Sequence, residues 1–196
     1  MNENHARVCG SPDWAQHLQT DILPPLTRDV DLGADMLEIG PGPGAATGWL
    51  GQRVARLTAV EVDKEAAALL EATYADTNIR IVVGSATELE YPDESFDSVG
   101  MFTMLHHVPT AALQNKILAE ALRVLRPGGV LIGSDSLGST GLHEFHEGDV
   151  YNPIEPATLL TRLQTIGFGR LMVSVDWSLT FVAHKPGTEP DDEADR

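Results

Sequence analysis

The chain has 196 residues, enough for one ordinary domain with a real core and too few for two full enzyme domains. Hydrophobic residues make up 42% and charged residues 21%, a globular composition rather than a disordered or collagen-like one. Thirteen Lys+Arg against 29 Asp+Glu leave a formal net charge of −16, which argues against nucleic-acid reading and against docking on anionic lipid, both of which need basic surface.

In chain order, residues 1 to about 10 read as a loose arm that leads into a helical stretch carrying Trp14, His17 and Leu18. Cys9 is the only cysteine, so neither an internal disulfide nor a multi-thiolate metal site can form. No apolar run approaches the length of a membrane span and the N-terminus lacks a signal pattern, so a cytoplasmic protein is expected. Short apolar runs follow as strands: Met36–Gly40, Leu57–Val62, Ile79–Gly84, Phe96–Thr103 and Gly129–Asp135. Between them, Ala45–Val54, Asp63–Tyr74 and Thr110–Leu125 read as helices, with Asp63 as the cap of the second. Arg126-Pro127-Gly128-Gly129 ends the third helix and opens the next strand. Repeated strand–helix–strand order implies an α/β fold with a parallel sheet and helices on both faces. Pro156–Ile166 makes a further helix stopped by Gly167. Arg170–Asp176 and Ser178–His184 then follow too closely for a parallel crossover, so the sheet ends in an antiparallel hairpin. Pro186–Arg196 carries five acids and one base, −4 of the net charge, and is expected to be solvated and disordered.

Glu38-Ile39-Gly40-Pro41-Gly42-Pro43-Gly44-Ala45 follows a strand and opens a helix. Glycines allow a sharp turn and let a ligand touch backbone, and a helix N-terminus favours an anionic group. The same spacing fits the G-x-G-x-x-A form of a dinucleotide site, and Pro41 and Pro43 remove two amide donors from the turn. Glu61 ends the next strand, 21 positions after Gly40. A carboxylate there can accept both hydroxyl protons of a ribose, as an adenosine cofactor presents.

The series LEIGPGPG, AVEVD, VVGSATELEYPDESFD, MLHHV, EALRVLRPGG and LQTIGF resembles the class I S-adenosylmethionine-dependent methyltransferases, and within them the small-molecule group with a type 11 domain. The resemblance runs from about Met36 to Lys185. It implies a Rossmann-like doubly wound seven-stranded sheet of order 3-2-1-4-5-7-6 with the last strand antiparallel, and a layout of an arm and cap helix (1–30), a methyltransferase domain (31–185) and an acidic tail (186–196). It also implies S-adenosyl-L-methionine as cofactor and S-adenosyl-L-homocysteine as product. Gly40, Gly42 and Gly44 would then hold the methionine end, with Glu38 placing its amino group. Glu61 and Val62 would lie at the ribose, Ser85 and Ala86 beside the adenine, and Phe102 at the end of the fourth strand. Where the family commonly has an acid facing the adenine amino group, this chain has Ser85, a weaker acceptor without charge. The N-terminal stretch would fold over the cofactor.

Open parallel sheets place ligands at the carboxyl ends of their strands, where His106-His107 and Asp135 follow the fourth and fifth strands. Methyl transfer from a sulfonium mainly needs alignment and exclusion of water, and a hydroxyl acceptor also needs a base. His106 or His107, oriented by Asp135, is the expected base. The segment Gly141–Asn152 carries His143, Glu144, His146, Glu147 and Asp149; it reads as a solvated lid or substrate rim, and no metal is expected.

No Asn/Asp-Pro-Pro-aromatic motif follows the fourth strand and no Pro-Cys pair exists, which disfavours base methylation of nucleic acid. Glu61-Val62-Asp63 is similar to a segment of ribosomal-RNA dimethyltransferases, but the acidic balance weighs against that acceptor. The expectation is therefore a small-molecule methyltransferase, with a hydroxyl acceptor ahead of carbon or nitrogen, acting on no nucleic acid or membrane; its oligomeric state is open, a homodimer being one option. An NAD(P)-dependent oxidoreductase and a non-catalytic S-adenosylmethionine-binding interaction protein are the alternatives.

Overall fold

The computed structural model describes Asn2 and residues 7–187. Residues 1 and 3–6 of the expected loose arm, and 188–196 of the expected disordered tail, lie outside the described residues. The strands are β1 (Asp35–Ile39), β2 (Arg56–Glu61), β3 (Ile79–Val83), β4 (Phe96–Phe102), β5 (Leu125–Asp135), β6 (Gly169–Val175) and β7 (Leu179–His184). The helices are α1 (Pro12–His17), α2 (Leu23–Thr27), α3 (Thr47–Gly51), α4 (Lys64–Thr73), α5 (Ala111–Val124), α6 (Thr140–Phe145) and α7 (Pro156–Ile166). All seven strands join one sheet in the order β3-β2-β1-β4-β5-β7-β6. β1, β2, β3, β4 and β5 are parallel, and β7 runs antiparallel to both neighbours, β5 and β6. Strand order reverses between β1 and β4, and at such a switch point the flanking loops diverge and leave a crevice.

Alternation along the strands divides the core. Leu37, Leu131 and Phe181 face one side with Leu118 and Ala121 of α5 and Leu163 of α7. Their neighbours Met36, Val130 and Val182 face the other side with Leu23 and Leu26 of α2 and Leu50 of α3. Both faces of the sheet are thus buried, as parallel sheets require. Phe181 lies opposite Gly133 in the β5–β7 pairing, and a Cβ at Gly133 would come within 2.2 Å of that ring. The small residue makes room for the large one.

Two elements differ from expectation by more than a residue. The helix expected over Ala45–Val54 forms only over Thr47–Gly51. Gly40, Gly42 and Gly44 all have positive φ, which keeps the chain out of a right-handed helix until after them. At the other end, the Asn78 amide donates to the carbonyls of Gly51 and Val54 at 2.8 and 2.9 Å, satisfying groups that another helical turn would otherwise take. The second difference is β5, which begins at Leu125 directly after α5. Leu125 pairs with Phe96 but Val130 pairs with Ser98, so the Pro-Gly-Gly segment bulges within the strand instead of preceding it. Lys185 holds that bulge, its carbonyl accepting from Gly128 and its amide donating to Gly129.

The N-terminal helices close over the glycine turn. Between α1 and α2 the chain widens into a π-helical turn, Leu18–Ile22, just before Pro24 and Pro25, which have no amide hydrogens to donate. Leu18 and Ile22 are buried from this turn, and the Gln19 amide donates to the Ala45 carbonyl at 2.8 Å.

Candidate active site

A cavity of about 530 Å³ opens at the carboxyl ends of β1, β2, β3 and β4, within the range of small-ligand sites. Of the residues singled out for a cofactor, Glu38, Gly40, Gly42, Glu61, Val62, Ser85, Ala86 and Phe102 line it. Gly44 does not. Its φ is +86°, and a Cβ there would come within 2.6 Å of Leu70 Cδ2, so it lets the turn pack against α4. At Gly42, by contrast, φ is +54° and no atom of the described residues lies within 4 Å of a built Cβ. Bare backbone there is open to the cavity.

Glu38 ends as a buried acid, 2% exposed, on the cavity wall. Desolvation pushes its pKa up to about 7; the Thr47 hydroxyl nearby works downward and the Glu61 charge upward. Yet among the described residues neither Glu38 Oε2 nor Thr47 Oγ1 has a partner within hydrogen-bond geometry. A buried carboxylate with an unsatisfied oxygen on a cavity wall suits a cationic ligand group.

Glu61 is 7% exposed. Its Oε2 accepts from the Gly42 amide at 3.0 Å and its Oε1 from the Asp63 amide at 2.9 Å. Each oxygen keeps a further lone-pair site for a ligand hydroxyl. Asp63 caps α4, accepting from Glu65 and Ala66, so the expected cap and the expected ribose acid are separate groups. Ser85 lies on the wall but its Oγ is engaged 2.8 Å from Thr87 Oγ1. Its hydroxyl shapes the turn after β3.

The second half of the cavity is formed by Thr103, Met104, His107, Pro109, Leu113, Asp149 and Val150. His106 and His107 lie on a 3₁₀ turn, Leu105–His107, and part there. His107 is on the cavity wall; His106 and Asp135 are not among its lining residues, and are 3% and 1% exposed. His106 Nδ1 donates to Asp135 Oδ1 at 2.5 Å, the tautomer following from the carboxylate acceptor. The same carboxylate accepts from the amides of Leu105, His106 and Ser136. Asp135 therefore orients His106, while the imidazole facing the cavity is His107, with ring centroids 4.0 Å apart.

Sequence reasoning missed how the 141–152 segment folds. His143, Glu144 and Glu147 are exposed as a lid would be. His146 instead turns inward, 3% exposed, its Nδ1 donating to the Leu142 carbonyl at 2.6 Å and its ring stacked on Tyr151. Burial lowers its pKa. Asp149 lines the cavity and accepts from the Asn2 amide at 2.7 Å. Cys9, Trp14 and Leu18 complete the wall from the N-terminal side, whereas His17 pairs with exposed Asp21.

Residues 37–133 match the methyltransferase domain family. The chain belongs to the class I S-adenosylmethionine-dependent methyltransferases. A probable S-adenosylmethionine-dependent methyltransferase of Mycolicibacterium smegmatis is 33% identical over 69% of this chain and 52% of that protein. A probable ribosomal RNA small subunit methyltransferase A of Pyrobaculum aerophilum is 34% identical over 58% of this chain and 54% of its own length. The chain thus spans about half the length of these relatives. A crystal structure of a methyltransferase from Methanosarcina mazei has the same fold, with a TM-score of 0.72 at 19% identity, covering 85% of this chain and 99% of that one. Family membership sets aside the nicotinamide-dependent alternative, because S-adenosylmethionine is the family's cofactor.

Among the described residues no helix is long and apolar enough to cross a membrane.

Proposed function

We propose that this methyltransferase binds S-adenosyl-L-methionine across the tips of β1, β2 and β3 and transfers its methyl group to the hydroxyl of a small molecule. The observation that carries this reading is the continuity of the cavity, from Glu38 and Gly42 past Glu61 to Ala86 on one side and to His107 on the other. The residues present fit the cofactor. Glu38, buried with one oxygen unsatisfied, matches its ammonium; Gly42 offers open backbone to its amino-acid end; Glu61 can accept from its ribose hydroxyls. The cofactor supplies an electrophilic methyl on a sulfonium. The chain's residues align the acceptor, exclude water and take its proton.

His107 is the imidazole placed to accept that proton. With the cofactor bound, its sulfonium would supply the methyl group to the acceptor oxygen, and the His107 nitrogen would take the proton that the hydroxyl loses. His106 and Asp135, behind it, hold the turn in place. A small acceptor is favoured over the RNA named for one relative because a net charge of −16 repels a phosphodiester backbone.

Isothermal titration with S-adenosylhomocysteine, followed by labelled methyl transfer to a panel of small hydroxyl, amine and carbon-acid acceptors, tests the reading. One cofactor per chain and label on a hydroxyl product are expected. Cofactor binding with no product on any acceptor would instead support a non-catalytic binding protein.

A further inference from the structure

We propose that His106, His107 and His146 together bind a divalent transition-metal ion, with zinc the best match. One ligand atom from each of these residues lies within 4.8 Å of the other two, although His146 is far from the other pair in sequence. The cluster carries the outer partners that metal-binding imidazoles use. His106 Nδ1 is held by Asp135 and His146 Nδ1 by the Leu142 carbonyl, which fixes both tautomers and leaves Nε2 as the ligand nitrogen. Both Nε2 atoms are buried. Three imidazoles without thiolate suit zinc, copper or nickel, and a set without carboxylate oxygens does not suit calcium or magnesium.

Zinc–nitrogen bonds of about 2.0–2.1 Å in a tetrahedron place ligand nitrogens roughly 3.4 Å apart. Atoms within 4.8 Å of one another must therefore close by at most about 1.4 Å, which small rotations of half-buried His107 and of His146 can supply. Three protein ligands leave a fourth position open, and His107 places it next to the cavity. The bound ion would pin the 140–152 segment to the turn after β4. It would also occupy the His107 lone pair, so an ion-bound His107 and a His107 acting as base exclude each other. Loop composition pointed elsewhere: of the polar residues in that segment only His146 joins the cluster.

This site rests on the imidazole geometry and not on the methyl-transfer reading, and one set of samples separates them. The untagged 196-residue chain, stripped with a chelator, is titrated with zinc chloride against a chromophoric competitor, and with cobalt chloride followed by visible absorption. One ion per chain and a tetrahedral cobalt spectrum are expected. His146→Ala and His107→Ala should each weaken binding at least tenfold, while His143→Ala, removing an exposed neighbour, leaves it unchanged. Thermal melting establishes that each variant is folded, and S-adenosylhomocysteine binding on the same stripped chain reports the cofactor site by itself. Absence of stoichiometric uptake by the parent chain, or folded His146→Ala and His107→Ala chains that bind as it does, would overturn the proposal. Loss of cofactor binding with metal uptake intact would contradict only the functional reading.

Discussion

Glu61 Oε2 accepts the Gly42 amide hydrogen at 3.0 Å, so the tip of β2 is latched to the turn that follows β1. Two elements that a nucleoside with an amino-acid tail must span are thereby fixed relative to each other before any ligand arrives. Such preorganisation reduces the ordering cost of binding.

The two glycines of that turn should separate binding from stability. At Gly44 a methyl group would come within 2.6 Å of Leu70 at a φ of +86°, so Gly44→Ala should lower stability by about 1–3 kcal/mol. A melting curve reads this. At Gly42 the space is open and the cost is a strained φ of +54° plus a methyl facing the cavity. Gly42→Ala should therefore cost more in S-adenosylhomocysteine affinity than Gly44→Ala does, by calorimetry on folded samples.

Glu38 gives a pH dependence with a definite sign. Its carboxyl has a reference value of 4.5 and is raised to about 7 in the folded chain. Between those values the folded chain keeps a proton that the unfolded chain releases. The stability from this proton is complete below pH 4.5, falls as pH rises and is gone above 7. At about 1.36 kcal/mol per unit the fall amounts to roughly 3 kcal/mol. Glu38→Gln should flatten that slope in denaturant titrations of the unliganded chain.

An ammonium beside Glu38 has the opposite preference, for the carboxylate. S-adenosylhomocysteine affinity should rise about tenfold from pH 6 to 8 as the competent carboxylate fraction grows. Proton release on binding, measured by calorimetry in two buffers of different ionisation enthalpy, checks this. Glu38→Gln should show neither the rise nor the release.

The two histidines should behave differently although they are adjacent. His107→Ala should lower kcat for hydroxyl methylation about 10²- to 10⁴-fold, with cofactor affinity changed by less than about twofold. His106→Ala removes the partner of a buried carboxylate and should cost about 3 kcal/mol, read as a fall in melting temperature of roughly 10 °C. Equal effects of both substitutions on kcat, with unchanged melting, would contradict the division of roles.

Nucleic acid should be a poor acceptor. A ribosomal RNA fragment should take up no label under conditions that methylate the small acceptor. Binding to it should be undetectable in a mobility-shift assay at physiological salt, where an acidic chain has few phosphate contacts to offer.

Much of the framework is legible in the sequence because buried parallel strands are continuous apolar runs, and β1, β2 and β4 lie within a residue of where those runs place them. The terminal hairpin is legible from chain length alone: Arg170 to His184 leaves no room for a crossover. The start of β5 is not, since a proline and two glycines signal a break, and the distant Lys185 backbone holds them in the sheet. At the site, the places of Glu38, Gly42 and Glu61 on the cavity wall are readable because each is tied to a strand end. The parting of His106 from His107 is not, because it depends on a single 3₁₀ turn and on which imidazole Asp135 captures. His146 is hidden for another reason: most of its neighbours in the chain, His143, Glu144 and Glu147 among them, are polar and exposed, and its burial comes from Tyr151 and the β4 turn.

Calorimetric titration of the parent chain and of Glu61→Ala with S-adenosylhomocysteine probes the latch and the nucleoside site together. The parent chain should bind one ligand per chain, and Glu61→Ala should bind at least tenfold more weakly while remaining folded, since a hydrogen bond to a charged group contributes about 1.5–3 kcal/mol. No saturable heat with the parent chain, or the same affinity without the Glu61 carboxylate, would contradict it.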